Sequence, residues 1–195
     1  MTIAKTSLLG LIANSNRGLL STETEKQAIL AAITTVEECN PTAFSTSASN
    51  LLDGNWRLIY TTSKSLLNIE RIPLCKLGQI YQCIRVNTNR IYNLAEVYGL
   101  PYLEGLVGVV AQYQAIDSCR VEVKFERSII GLQRLINYNS PDYFIQRIET
   151  GQKFSAIDFG INTNERPGWL DITYIDNDLR ISRGNEGNLF VLTKA

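Results

Sequence analysis

The residues that could do chemistry gather near the C-terminus. Asp176-Asn177-Asp178 sets two carboxylates close together, a spacing used in cation sites. Asp and Asn between two strand-like segments are also ordinary hairpin chemistry, and no third acidic or amide ligand stands at motif spacing. A turn is the preferred reading. Gly184-Asn185-Glu186-Gly187 has the outline of a nucleic-acid Gly-x-x-Gly loop, but it contains a Glu and lacks a basic flank beyond Arg183, so it too reads as a turn. The chain has no histidine. That removes the Ser-His-Asp triad, the Cys-His dyad, His-ligated zinc and His-held haem, and leaves acid–base work to Asp, Glu, Lys, Tyr or Cys. Cys39, Cys75, Cys83 and Cys119 form no Cys-x-x-Cys pair and are expected to be buried, reduced thiols. No catalytic residue, metal ligand or cofactor is nominated.

Charge and composition narrow the partners. The chain carries 19 Lys plus Arg against 19 Asp plus Glu, so it lacks the basic surplus of a general nucleic-acid grip. At 195 residues and 45% apolar it can build one full core with a short appendage. It contains no apolar run of about 20 residues, the length a membrane-spanning helix needs. Met1-Thr2-Ile3-Ala4-Lys5-Thr6 resembles neither a signal peptide nor a transit peptide. The expected location is cytosolic or peripheral to a membrane.

Two kinds of element must position these residues. Residues 1–50 read as a helical segment and linker. Leu8, Leu9, Leu11 and Ile12 form an apolar cluster that stops near Arg17-Gly18, and Thr22 with Glu25 fits a capping box. Behind it Ala28, Ile29, Ala32, Ile33 and Val36 follow one helical face up to Asn40-Pro41, and residues 42–50 are a polar linker. Residues 51–195 change to a period of two. Strands are predicted over 55–62, 79–86, 91–97, 108–116, 120–127, 169–175, 179–183 and 189–193, with further strands around 132–136 and 143–148. Tight turns at 87–89, 117–119, 176–177 and 184–187 join most of them, and no helix-length segment interrupts the series. The fold class is therefore mainly β, an antiparallel up-and-down β-barrel with N-terminal α-helices. Two apolar segments break the rhythm, 64–77 around Pro73 and 98–110 with Pro101, Tyr102, Leu103 and Leu106; such loops either cover a cavity or dock on something greasy.

Gly54-Asn55-Trp56 opens the first barrel strand, and Arg180 and Arg183 lie on a late one. That combination resembles lipocalin-type barrels, in which a late Arg covers the first-strand indole at the closed end. Residues 169–192, with Asp176-x-Asp178-Leu179-Arg180-x-x-Arg183-Gly184 at their centre, resemble the terminal signature of the plastid lipid-associated protein/fibrillin family. Residues 51–63 are similar to that family's first strand, and the upstream helix and the strand at 120–126 agree, so the resemblance spans nearly the whole chain. It implies a lipocalin-like barrel on thylakoids or lipid droplets, associated with carotenoids, quinones and other lipophiles in a photosynthetic organism. The absence of a transit extension points to a cyanobacterium-like member. The resemblance leaves the roles of Asp176, Asp178 and Arg183 open.

The expected function is non-enzymatic binding of a hydrophobic small molecule, an isoprenoid quinone, carotenoid or other lipid, at or near photosynthetic membranes. The expected position is the cytoplasmic side, with peripheral contact to thylakoid or lipid droplet and no nucleic-acid partner. Trp56, Tyr60 and Arg180 are expected near the cavity floor, and Tyr102 and Leu103 at the portal. Nine Tyr, six Phe and two Trp would suit such a cavity, although any barrel core uses the same residues. A coat or scaffold with a filled barrel is the alternative. An enzyme is the third reading, either a bilin lyase with Arg85, Arg134 and Glu126 as its propionate-binding and acid groups or an isoprenoid isomerase, without spacing to support it.

Overall fold

The computed structural model describes residues 2–64, 76–99, 101–161 and 167–195. The N-terminus forms α1 (Ile3–Ile12) and α2 (Glu23–Glu38). The capping box is present: the Thr22 hydroxyl accepts from the Glu25 backbone N–H, and the Glu25 carboxylate accepts from Thr22 N–H. The linker is ordered, with a 3-10 turn at Ser45–Ser47 and the short helix α3 (Ser49–Leu52). It is stitched to the barrel, since the Thr42 hydroxyl donates to Ile175 O at 2.8 Å and the Thr46 hydroxyl to Asp117 O at 2.7 Å.

The strands are β1 (Gly54–Thr61), β2 (Lys76–Arg85), β3 (Arg90–Tyr98), β4 (Gly105–Ala115), β5 (Arg120–Leu132), β6 (Ile157–Gly160), β7 (Gly168–Ile175), β8 (Leu179–Gly184) and β9 (Leu189–Lys194). All pairings are antiparallel, in the order β4-β3-β2-β1-β9-β8-β7-β5-β6, and a further β4–β5 pairing closes eight strands into a barrel. The up-and-down barrel read from the sequence is the fold observed. β4 begins at Gly105, so part of the apolar 98–110 segment is strand and the turn there is shorter than expected. Of the other apolar segment, residues 65–75, with Leu66, Leu67, Ile69, Ile72, Pro73 and Leu74, lie outside the described residues, while Lys76 and Leu77 open β2.

One expectation is overturned. Residues 143–148 are not a strand but lie in α4 (Pro141–Glu149), and β5 ends at Leu132 rather than continuing to a strand at 132–136. Ser140 caps α4 by accepting from Tyr143 N–H, and Pro141 sits in its first turn, where the missing N–H costs nothing. Phe144, Ile145 and Ile148 then share one helical face, so their spacing follows 3.6 rather than two. A helix therefore does interrupt the meander, between β5 and β7.

Three buried clusters follow from this layout. The barrel interior holds Trp56, Leu58, Ile80, Ile84, Ile91 and Ile172 among others. On one outer face α1 and α2 bury Leu8, Ile12, Ile29, Ile33 and Val36 against Tyr60, Tyr174, Leu179, Ile181 and Val191. On the opposite outer face α4 buries Phe144, Ile145 and Ile148 against Tyr92, Leu94, Leu106, Val110 and Ile129. Phe144 also lies 5.8 Å edge-on from Tyr138 and 5.0 Å from Phe154, ring centre to ring centre. Phe144→Ala should therefore cost about 3–5 kcal/mol of stability. Urea unfolding followed by circular dichroism checks this, and a loss below about 1 kcal/mol would mean that α4 is not a structural cover.

Candidate functional site

The strand directions give the barrel two ends. Gly54, α3 and the turns at 86–89, 116–119 and 176–178 lie at one end; the turns at 101–104, 133–137 and 185–187 lie at the other. The first end is closed by Trp56. Gly54 holds φ +120°, a conformation that side-chain-bearing residues rarely adopt, and it delivers Trp56 into the barrel. The indole N–H donates to Leu52 O at 2.9 Å. The Arg180 guanidinium carbon lies 5.0 Å from the ring centre and Lys194 Nζ lies 4.5 Å from it. Lys194 is the register partner of Trp56 and donates to Leu51 O and Asp53 O.

Arg180 is wholly buried. Its Nη2 donates to the Gln82 side-chain carbonyl, while Nε and Nη1 have no acceptor among the described residues. Burial pushes its pKa down to about 9, still high enough to keep it cationic at neutral pH. Beside it is a cavity of about 10 Å³, about the room one water needs, lined by Gln82, Tyr113, Ile84, Val121 and Ile172 among others.

Further along, the wall changes. β5 pairs with β7 through Arg120–Val123 and with β6 through Arg127–Ile130, with a bulge opposite Val110/Ala111 between them. Among the described residues no pairing joins β6 to β7, so the wall parts there. By register Phe125, Ile130, Ile157 and Phe159 all lie on the inward side of this wall, and they remain 39–65% exposed. An apolar inner face is thus open to solvent at the end opposite Trp56.

The expected site residues fall in three places. Trp56 and Arg180 meet on the interior floor. Tyr102 and Leu103 lie in the turn between β3 and β4 at the opposite end, 73% and 53% exposed, with Tyr102 at φ +70° and the Arg134 guanidinium 5.8 Å from its ring centre. Tyr60 lies behind the wall instead. The β1–β9 register shifts between Leu58 and Tyr60, so the alternation reverses and Tyr60 packs against the N-terminal helices. Sequence reasoning missed Gln82, Tyr113, Lys194, Ile130, Ile157 and Phe159. Gln82 carried a usable signal, a polar residue on the inward alternation of Ile80 and Ile84; β6 carried none.

The thiols divide. Cys83 is buried and its pKa is pushed up to about 12 by that burial; Cys39 is exposed because it follows the solvent-facing end of α2, and Cys119 is half-buried. Cys75 lies outside the described residues. Among the described residues no group of three or more Cys, Asp or Glu could hold a metal ion.

The PAP_fibrillin family model matches residues 2–193. The chain belongs to this family. It is 30% identical over 216 residues to a chromoplast-specific carotenoid-associated protein of Cucumis sativus, covering 97% of this chain and 67% of that protein. It is 29% identical over 219 residues to a chloroplastic light-induced protein of Solanum tuberosum, covering 98% and 67%. It is 30% identical over 217 residues to the probable plastid-lipid-associated protein 2 of Arabidopsis thaliana, covering 97% and 70%. No solved structure matches significantly.

In this PAP_fibrillin chain the terminal signature is split between the two sides of the wall. Arg180 faces in. Asp176, Leu179 and Arg183 face out and hold the helices. Asp176 accepts from Lys5 Nζ at 2.7 Å, from the Tyr174 hydroxyl at 2.7 Å and from the backbone N–H groups of Asp178 and Leu179 at 2.8 Å. Arg183 grips Glu37 of α2 through Nε and Nη2 at 2.9 and 2.6 Å, and Thr173 donates to the same carboxylate at 2.6 Å. Burial opposes the charge on Asp176, yet these donors together hold its carboxyl at about 2. Because the folded value is depressed, its stabilisation is complete above the ordinary value of 3.8 and is lost as the pH falls through about 2. Asp176→Ala should cost about 3 kcal/mol at pH 7, since Lys5 is left buried without its main partner. Its stability should also fall less steeply than the native chain's between pH 4 and pH 2. Urea titrations at several pH values check both.

Proposed function

We propose that the protein binds a hydrophobic small molecule, an isoprenoid quinone, carotenoid or other lipid, at or near photosynthetic membranes, and that it does so without catalysis. The observation that carries this reading is the exposed apolar inner face formed by Phe125, Ile130, Ile157 and Phe159. Apolar side chains on the inside of a barrel wall gain roughly 25 cal/mol for each Å² that a ligand removes from water. Trp56 and Arg180 supply a polar-tipped floor at the other end. Two relatives whose names record association with carotenoids and with plastid lipids support the ligand class.

A peripheral position suits the same surface. Among the described residues no helix is long and apolar enough to cross a membrane. Tyr98, Tyr102, Leu103 and Leu135 are exposed at the end that carries the open inner face. These would contact thylakoid or lipid droplet from the cytoplasmic side, with Tyr102 and Leu103 at the portal. The second reading is a coat or scaffold, favoured by the cavity of about 10 Å³ beside Arg180, which is close to filled.

Solvent extraction and mass spectrometry of protein purified from a photosynthetic host separates the two. A carrier yields one lipophile near one-to-one stoichiometry; nothing enriched over a control protein favours the coat. For the surface, replacing Tyr102 and Leu103 together by Glu should abolish flotation with liposomes. Unchanged flotation would remove this turn from the docking reading.

A further inference from the structure

We propose that Arg180 is the seat of a carboxylate inside the barrel, either the head group of a long-chain lipid acid or a small free carboxylate. The lipid source rests on the lipophile-binding reading above; the seat itself does not.

The argument begins with what arginines do elsewhere in this barrel. Arg120 holds Asp171 with Nε and Nη2 at 2.6 and 2.8 Å. Arg127 holds Asp158 in the same way at 2.7 and 2.6 Å, and Arg183 holds Glu37. Arg180 is more deeply buried than any of these, yet its fork meets one neutral amide oxygen, that of Gln82. Nε lies on the side edge of the guanidinium and Nη1 on its end edge, so among the described residues both edges that can grip a carboxylate retain an unmatched donor. A buried cation without a counter-charge is costly, and a ligand that brings one gains by it.

The surroundings point to the same chemistry. Among the described residues no Asp or Glu lines the cavity at Arg180. Lys194, against the same indole, adds a second positive charge. Ser182, also on the inward side of β8, has a buried hydroxyl without a partner among the described residues. A route outward exists as well. Val121 lines the cavity, and Val123 and Phe125 follow it on the same side of β5 until the exposed inner face begins. From Val121 to Phe125 is about 13 Å of strand. The space beside the guanidinium suits one oxygen-sized group, so a chain that follows that route must displace aliphatic side chains as it enters.

The test uses the full chain, stripped of lipid, with three probes: sodium palmitate, hexadecanol and sodium acetate. Binding is followed by calorimetry and by the fluorescence of Trp56, which touches the seat, in a Trp169→Phe background. Palmitate should bind at least about tenfold more tightly than hexadecanol, the difference made by roughly one charge-assisted contact. Arg180→Gln should lower palmitate affinity until it lies within about twofold of the variant's own affinity for hexadecanol. Arg180-dependent acetate binding without palmitate binding would identify a free small carboxylate as the source, uphold the seat and overturn the lipid-acid source. Equal affinity of native protein for palmitate and hexadecanol would overturn the seat and leave the lipophile reading standing. Failure of both carboxylates to bind would overturn it too. The native comparison needs no variant, so it decides the matter even if Arg180→Gln does not fold.

Discussion

An eight-stranded barrel removes its own edges, but here both surfaces of the wall are apolar, and the outer one must be covered. Leu179, Ile181 and Val191 face outward on one side, and Leu94, Leu106 and Ile129 on the other. Neither patch would stay monomeric in water if it were bare. The need to cover two outer faces accounts for the helices, for the charges that hold them and for the break in the wall. α1 and α2 come from the N-terminus and cover the first face. α4 must come from within the chain, between β5 and β7, and it covers the second.

Each cover has consequences for the interior. The N-terminal helices are held by Lys5–Asp176 and Glu37–Arg183, partly buried pairs with several hydrogen bonds each. Such pairs add little beyond what apolar contacts supply, but they fix where the helices sit, because a misplaced helix leaves a charge buried alone. The α4 insertion acts differently. It takes the chain away from the barrel after Leu132 and returns it through β6, which occupies the pairing edge of β5 that β7 would otherwise extend along. The inner face of β5 and β6 is left uncovered as a result. The device that completes the outer core is also the one that opens the inner surface.

Arg180 and Lys194 place positive charge at the closed end. Trp56, Arg180, Gln82 and Lys194 form one constellation with Asn93, which accepts from the Gln82 amide, and apart from Ser128 and Ser182 the described residues around them are mostly aliphatic or aromatic. The closed end is therefore positively charged and the open end apolar, and the proposed carboxylate seat rests on this polarity along the barrel axis.

The sequence by itself determined the barrel, the two N-terminal helices and the capping box of α2. Alternation is a local signal, as in Val121, Val123 and Phe125, and so are Thr22 with Glu25 and the short Asx-rich turns; each depends on residues within a few positions. It also exposed the family, since the residues around Asp176 to Gly184 are contiguous. Three things were decided by tertiary structure. Tyr60 left the interior because a bulge, one unpaired residue at Ile59, reverses every later side chain, and nothing local marks a bulge. Residues 143–148 became helix because Phe144, Ile145 and Ile148 had a face to cover, and so short an apolar run fits either period until that face is known. The charges of the signature were divided between the two sides of the wall by register. Asp176 and Arg183 hold helices that lie far away in sequence, while Arg180 faces inward to Trp56 and Gln82. Long-range pairings of that kind are set by barrel closure, which depends on all eight strands at once.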